Sequence, residues 1–265
     1  MCYTDSMKNF FDYEIKHDGV TVQFSDSLSI IEREIHSYHE ILFCDAENVI
    51  LRTENIRTEI PGKSLVIIPK GSYHSFDISE AESFERIKIS LSEELLSKLS
   101  LNLFLGGVSV VFSLTQSVAL LTRKLCEILK GNKSEGQALF AFSTVMVLLS
   151  ELDASEAKHS ISMSNTNSAT EGIINYVSRH LSGDLSVDAI SKALRISPSF
   201  LTHNFKKDVG ISLHRYVTGK RMAYAKERID LGERPSKIYT DFGYNDYSSF
   251  YKAYYLFHGE APSKK

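Results

Sequence analysis

The C-terminal part of this chain uses one helical pattern twice, at a constant separation of 49 residues. In each copy two apolar residues recur at helical spacing, and a glycine follows them. The three repeated pairs are Leu201 and Phe250, Phe205 and Tyr254, and Gly210 and Gly259. A repeat of this kind indicates that one supersecondary unit occurs twice, which restricts the region to a helical fold with two similar halves.

The first copy reads as a capped helix preceded by another short helix. Ser197 can accept a hydrogen bond from a first-turn amide, and Pro198 suits the first helical position. Gly210 can adopt the positive φ that ends a helix. Upstream, residues 185–194 (LSVDAISKAL) predict a short helix capped by Ser186. Two short helices joined by a tight turn predict a helix-turn-helix, whose second helix fits the major groove of DNA.

The second copy repeats this arrangement after a long helix. Residues 236–241 and 247–257 predict its two helices, joined by the turn FGYND. Between the copies, residues 212–231 predict a helix of about five turns. Its inward stripe is Val217, Met222, Ala225 and Ile229. Such a helix can fix the distance between two DNA-reading helices.

These residues resemble the DNA-binding domain of the AraC/XylS family of bacterial transcription regulators. The resemblance runs from about Ile173 to Pro262, the last third of the chain. The matching residues are Leu185-Ser-Val, Leu194, Ile196-Ser-Pro-Ser-Phe-Leu, Phe205-Lys-Lys, Gly210, Tyr216-Val, Arg221-Met, Ala225, Ile238, Gly243-Tyr, Ser248, Phe250 and Gly259-Glu-Ala-Pro262. The resemblance implies that the two motifs enter successive major grooves on one face of the duplex.

The resemblance also implies which side chains contact DNA. All of them belong to the second helix of a motif, on the side away from its apolar stripe. Those expected to face bases in the first motif are Ser199, Thr202 and His203, and those expected to approach phosphates are Lys206 and Lys207. Those expected to face bases in the second motif are Tyr247, Ser248, Tyr251 and Lys252.

The second motif departs from the family pattern. Tyr239 stands where a small alanine is usual, Phe242 replaces a smaller aliphatic residue, and Tyr255 replaces a usual lysine. Lys252 is then the only lysine or arginine of its second helix, so we expect the first motif to carry most of the specificity. Hydroxyl groups give weaker direct readout than arginine pairing with guanine, so DNA shape gains importance.

The net charge also differs between the C-terminal part and the rest of the chain. Residues 168–265 contain 15 Lys+Arg and 10 Asp+Glu, a net charge of +5, whereas residues 1–167 contain 15 and 23, a net charge of −8. A polyanion such as DNA would bind the basic part. The acidic part is not expected to touch DNA.

The N-terminal part reads mainly as short strands followed by helices. Alternating apolar residues, as in Val20, Val22 and Phe24, and frequent polar turns favour a β-barrel or sandwich. The segment 61–74 (PGKSLVIIPKGSYH) resembles the second cupin motif and the ligand-sensing half of AraC-type proteins. Residues 93–100, 115–129 and 135–152 predict helices. AraC-type relatives often dimerise through helices at this place, so the resemblance favours a homodimer.

The histidines of this part raise the question of a metal. Cupin enzymes hold a metal with histidines and a glutamate, and the candidates here are His36, His39, Glu40 and His74. Residues three apart on a strand point to opposite faces, so His36 and His39 are not expected to reach one ion. We therefore expect pocket or surface histidines and no metal or other cofactor.

The remaining sequence features favour a cytoplasmic protein. No stretch reads as long and apolar enough to span a membrane, and the N-terminus lacks the basic-then-apolar order of a signal peptide. Cys2, Cys44 and Cys126 are odd in number and widely separated, so a disulfide framework is not expected.

The sequence thus predicts an α+β chain of two domains. Residues 1–153 form a cupin-like β-barrel or jelly roll with following helices, residues 154–169 a serine- and asparagine-rich linker, and residues 170–265 an all-α domain with two helix-turn-helix motifs joined by a long helix. The predicted function is regulation of transcription by binding double-stranded DNA. The resemblance favours activation through contact with RNA polymerase, under the control of an effector or a partner at the N-terminal domain. A small-molecule effector would bind in the barrel.

Two alternatives remain open at this point. One is a metal-dependent cupin enzyme with an appended DNA-binding module. The other is a regulator controlled only by a protein partner, whose barrel would be filled by its own side chains.

Overall fold

The computed structural model describes residues 13–26, 31–45, 47–54, 57–99, 101, 109–131, 135–154 and 168–263. These residues group into two compact units. One contains the described residues up to Arg52 and from Arg57 to Ala154, and the other contains Thr53, Glu54 and the described residues from Ser168 onward. Most of the predicted linker lies outside the described residues.

The first unit is rich in β-structure. Its strands are β1 Tyr13–His17, β2 Val20–Ser25, β3 Ile31–Glu34, β4 His39–Asp45, β5 Val49–Thr53, β6 Arg57–Ile60, β7 Ser64–Ile68, β8 His74–Asp77, β9 Glu85–Leu91 and β10 Val110–Ser113. Six of them form a sheet in the order β1-β2-β9-β4-β7-β10, and four form a second sheet in the order β3-β8-β5-β6. The predicted alternation is confirmed, because Val20, Val22 and Phe24 are all buried.

Strand β4 shows how the layers stack. Ile41 and Phe43 belong to an apolar cluster that includes residues of the helices, whereas Leu42 and Cys44 belong to one that includes Phe76 of the four-stranded sheet. Because both faces of β4 are covered, its residues are buried without alternation. The six-stranded sheet therefore lies between the helices and the second sheet, which agrees with the sandwich form of the prediction.

The three helices of this unit follow the sequence prediction closely. They are α1 Glu93–Leu99, α2 Gln116–Lys130 and α3 Glu135–Ala154. One expectation was wrong: Gly136–Ala154 of α3 is long and apolar enough to cross a membrane by length and composition, with a mean hydropathy of 1.3. The reason is that α3 is apolar beyond its buried face, and Leu139, Phe140 and Val147 are at least half exposed. A core helix passes the same test, and α3 buries Val145 and Leu149 in the apolar cluster.

The second unit is helical. Its helices are α4 Ser168–Arg179, α5 Val187–Leu194, α6 Pro198–Val209, α7 Leu213–Asp230, α8 Pro235–Ile238 and α9 Tyr247–His258, with a 3-10 turn at Tyr239–Phe242. Glu54 also belongs to it, since its carboxylate accepts a hydrogen bond from the Tyr216 hydroxyl at 3.0 Å and pairs with the Lys220 ammonium at 2.6 Å.

A cluster of charged side chains is buried in the β-rich unit. Lys88 on β9 places its ammonium 2.9 Å from a Glu40 carboxylate oxygen and 3.5 Å from one of Glu34. His74 places Nε2 3.1 Å from Glu34, and His36 places Nε2 2.9 Å from Glu40. Buried charges are tolerated when they are paired. Lys88 pairs with both carboxylates, and His74 also lies within 3.9 Å of Glu40.

The pairing changes the acidity of these groups. Burial alone would raise the pKa of Glu34, but the Lys88 ammonium and the hydrogen bond from His74 outweigh it and lower the pKa to about 2. Because its pKa is lowered, the Glu34 carboxylate stabilises the fold at pH values above the ordinary glutamate pKa of 4.5. This contribution is lost as the pH falls through about 2. Burial likewise opposes the charge of His74, yet Glu34 raises the pKa of that imidazole above 6.5.

Replacing Lys88 by methionine should therefore destabilise the β-rich unit at pH 7 by about 3–5 kcal/mol, because two buried carboxylates lose their cation. The difference from the wild type should shrink below about pH 5, where the unpaired carboxyls of the variant take up protons. Hydrogen exchange of the β4 and β9 amides, followed by mass spectrometry, measures the opening free energy of this unit separately.

Lys98→Met is the matched control. Lys98 also pairs with a glutamate, Glu94, at 2.8 Å, but both side chains are exposed. The solvent screens such a pair, so the control should leave exchange nearly unchanged. Equal exchange in the two variants would show that Lys88 does not stabilise the cluster.

Candidate functional site

The first helix-turn-helix consists of α5 and α6. The Ser197 hydroxyl accepts a hydrogen bond from the Phe200 amide at 3.2 Å, Pro198 occupies the first turn, and Gly210 has a φ of 79°. The predicted cap and stop signals are therefore present in α6. Arg195, which ends α5, adopts a left-handed conformation with a φ of 55°. No residue type marked this turn in the sequence, because arginine is not a usual left-handed residue.

Helix α6 has one buried and one exposed face. Leu201, Phe205 and Val209 are buried, and the Phe205 ring meets the Tyr216 ring of α7 edge to face, with centroids 5.1 Å apart. The opposite face is exposed and carries every side chain that was predicted to contact DNA from this motif. These are Ser199, Thr202, His203, Lys206 and Lys207.

The second motif is built differently from its prediction at its first helix. Residues 236–241 were expected to form one short helix, but α8 ends at Ile238 and a 3-10 turn follows over Tyr239–Phe242. Short 3-10 segments commonly form where an α-helix ends. Gly243 then turns the chain with a φ of 73°, and a Cβ there would lie 2.7 Å from the Arg221 guanidinium. The positive φ favours glycine here, and any larger residue would also displace the Arg221 guanidinium.

Helix α9 presents an aromatic outer face. Asp246 caps it by accepting hydrogen bonds from the Ser249 amide and hydroxyl, both at 2.8 Å. The second group of predicted contact residues is exposed: Tyr247, Ser248, Tyr251 and Lys252. The rings of Tyr251 and Tyr255 stack, with centroids 6.3 Å apart. This face offers hydroxyl groups and aromatic surface, and little charge.

Helix α7 connects the two motifs within this unit. Met222, Ala225 and Ile229 share an apolar cluster with Phe250 and Tyr254 of α9. On the side of the first motif, Arg221 donates through Nε to the Leu181 carbonyl at 3.0 Å and through Nη2 to that of Gly183 at 2.7 Å. One helix thus packs against both motifs, as the sequence predicted for residues 212–231.

The structure brings three of the four candidate metal ligands together and places the fourth elsewhere. His36, Glu40 and His74 each offer a donor atom, and these atoms lie within 4.8 Å of one another. His39 belongs elsewhere, since its Nε2 lies 3.1 Å from Glu93. His36 lies in the connection between β3 and β4, so the alternation of a strand did not apply to it.

Two imidazoles and a carboxylate fit a divalent metal by type. Both imidazoles donate Nδ1–H to a backbone carbonyl, His36 to Tyr38 and His74 to Ser72, as metal-binding histidines often do. However, the Lys88 ammonium already lies 2.9 Å from Glu40 and supplies positive charge there. The expectation of no metal remains a prediction.

Comparison with known proteins finds a matching helix-turn-helix family and similar transcription regulators. Residues 190–265 match a family model described as a helix-turn-helix domain. The chain is 32% identical over 93 residues to the probable transcriptional regulator LumQ of Photobacterium leiognathi, covering 35% of this chain and 38% of that protein. It is 30% identical over 110 residues to the Msm operon regulatory protein of Streptococcus mutans, covering 38% of each. The similarity thus spans well under half the length of these curated relatives.

Among solved structures, ToxT from Vibrio cholerae aligns over 93% of this chain and 97% of its own, at 15% identity and a TM-score of 0.42. A likeness this weak supports no functional conclusion. The family model, by contrast, matches the region in which the double motif lies. Residues 190–265 therefore carry a helix-turn-helix domain, and the chain is similar over part of its length to transcription regulators, in line with the resemblance to the AraC/XylS family.

Proposed function

We propose that this protein regulates transcription by binding specific sites in double-stranded DNA through both helix-turn-helix motifs. The observation that carries the proposal is the pair of capped helices, α6 and α9. Both pack on α7 and leave their outer faces exposed. The net charge of +5 over residues 168–265 supports it, because DNA is a polyanion. Two helices held on one rigid element can enter neighbouring grooves together.

The two reading helices have different roles in this proposal. On α6, Ser199, Thr202 and His203 face bases, whereas Lys206 and Lys207 neutralise phosphates. On α9, Tyr247, Ser248, Tyr251 and Lys252 contribute hydroxyl and ring contacts. Because α9 carries a single lysine and no arginine, α6 provides most of the specificity and the electrostatic attraction.

The β-rich unit receives the controlling signal, and the proposed domain division remains residues 1–153, 154–169 and 170–265. A cupin-like jelly roll is our interpretation of its two sheets. Among the described residues, the cluster shared by the sheets contains packed large side chains, such as Phe76 and Phe84 with ring centroids 6.0 Å apart. This packing favours control by a protein partner over a small molecule between the sheets.

Three further parts of the proposal rest on resemblance to the family. They are activation rather than repression, contact with RNA polymerase, and location in the bacterial cytoplasm. The relatives are named as regulators, which supports a role without enzymatic activity.

A homodimer forms through α2 and α3 in this proposal. The two helices pack against each other, with Ser117 donating to Glu151 at 3.1 Å and the Lys124 ammonium 5.7 Å from the centre of the Phe140 ring. Leu120, Phe140 and Val147 expose 64%, 50% and 50% of their surfaces. An apolar patch shared by two helices is typical of an interface.

The DNA proposal is tested with Thr202→Ala and Lys206→Ala in the full chain. Thr202→Ala should weaken a selected site by about 1–3 kcal/mol and leave random duplex almost unchanged, because it removes a base contact. Lys206→Ala should weaken both duplexes alike and lower the slope of log K against log salt by about one unit. Fluorescence anisotropy at several salt concentrations measures both effects.

Lys237→Ala is a suitable control, since it removes a lysine of the same domain outside α6 and α9. It should alter neither the sequence preference nor the difference between the two duplexes. If Thr202→Ala weakened specific and random DNA equally, α6 would not read bases.

The dimer proposal is tested with Val147→Asp. A charge in the middle of an apolar interface should shift the protein to monomer at micromolar concentration. Sedimentation velocity measures the mass, and Glu151→Gln is a control at the neighbouring turn. A dimer that survives Val147→Asp would place the interface elsewhere.

A further inference from the structure

The ring of His203 is hydrogen-bonded to its own helix. Its Nδ1 lies 3.0 Å from the backbone carbonyl oxygen of Ser199, one helical turn earlier. A carbonyl oxygen can only accept a hydrogen bond, so Nδ1 carries the proton and donates it. In a neutral imidazole the other nitrogen, Nε2, then has a lone pair and acts as an acceptor.

The neighbouring hydroxyl is engaged in a similar way. Thr202 donates through Oγ1 to the Pro198 carbonyl at 3.0 Å and approaches that of Ser199 at 3.2 Å. Its only proton is therefore held by its own helix. What Thr202 can offer to DNA is a methyl group and the lone pairs of its oxygen.

Together the two side chains present acceptors and no free donor. Both are exposed on α6, on the face proposed to enter the major groove. In that groove guanine presents N7 and O6 and thymine presents O4, all of which are acceptors. Cytosine N4 and adenine N6 are the donors. An acceptor on the protein is repelled by the first group and binds the second.

We propose that His203 reads the exocyclic amine of a cytosine or an adenine through Nε2, with Thr202 making an apolar contact to a neighbouring thymine methyl. This inference rests on the proposed binding of DNA through α6. It narrows that proposal from a contact residue to the chemical group that the residue recognises. It also explains how a helix without arginine in its base-facing positions can still be specific.

The test begins with selection from a randomised duplex library, carried out with the full-length wild type and with His203→Ala. The base pair whose preference disappears in the variant is the one that His203 reads. In the selected duplex the amine of that pair is then removed, by placing 2-pyrimidinone for cytosine or purine for adenine. For a cytosine–guanine pair, 7-deazaguanine in the partner strand removes an acceptor instead.

Removing the amine should weaken wild-type binding roughly 3- to 10-fold, the loss of one hydrogen bond. Removing the amine should not weaken the binding of His203→Ala any further, because the substitution and the missing amine remove the same contact. Removing guanine N7 should leave wild-type binding unchanged. His180→Ala is the matched control, since His180 makes the same Nδ1 bond to a carbonyl four residues earlier, that of Tyr176, but lies outside α6. It should retain every base preference.

Two results would overturn the inference while leaving the proposed function intact. One is a selected site whose preferences are all unchanged in His203→Ala. The other is a loss of binding with 7-deazaguanine and none with the missing amine, which would mean that the ring donates. If neither protein enriched any sequence, the proposed function would fail, and the inference with it.

Discussion

The C-terminal unit depends on the packing of both motifs against α7. The buried face of this helix joins the core of the second motif, where Met222 and Ala225 meet Phe250. Near the first motif, Arg221 binds two backbone carbonyls, those of Leu181 and Gly183. The Arg221 guanidinium would also have to shift to admit a Cβ at Gly243, so this side chain contacts both the connection between α4 and α5 and the turn before α9. Movement of either motif would therefore disturb buried groups of α7.

This constraint explains the chemical difference between α6 and α9. The two helices share the spacing of buried residues, with Leu201 and Phe205 matched by Phe250 and Tyr254, because both pack within one unit. Their exposed residues do not take part in this packing and are free to differ. One face is basic and polar and the other is aromatic, and this difference is the basis of the unequal roles proposed for them in DNA recognition.

Local signals were predictable from the sequence, and contacts between distant segments were not. Ser197, Pro198 and Gly210 act through their own backbone, so their positions in α6 followed from residue type alone. The left-handed Arg195 has no such signal, because arginine is not a usual residue for this conformation. The charged cluster was missed for a similar reason, since His74 and Lys88 reach Glu40 from other strands. The histidines and Glu40 were candidates from the sequence, whereas Lys88, which pairs with Glu40, was not.

A rigid spacing between the reading helices has a consequence for the DNA. B-form DNA repeats about every 34 Å, and a site that does not match the protein must deform to bring both grooves into contact. The cost of that deformation depends on the sequence between the contacted bases, even where no side chain touches it. In the proposed binding mode, Thr202 and His203 offer no free donor and α9 carries one lysine, so direct hydrogen bonds would supply only part of the discrimination. The rest would then come from how readily a given duplex accepts the spacing that α7 imposes.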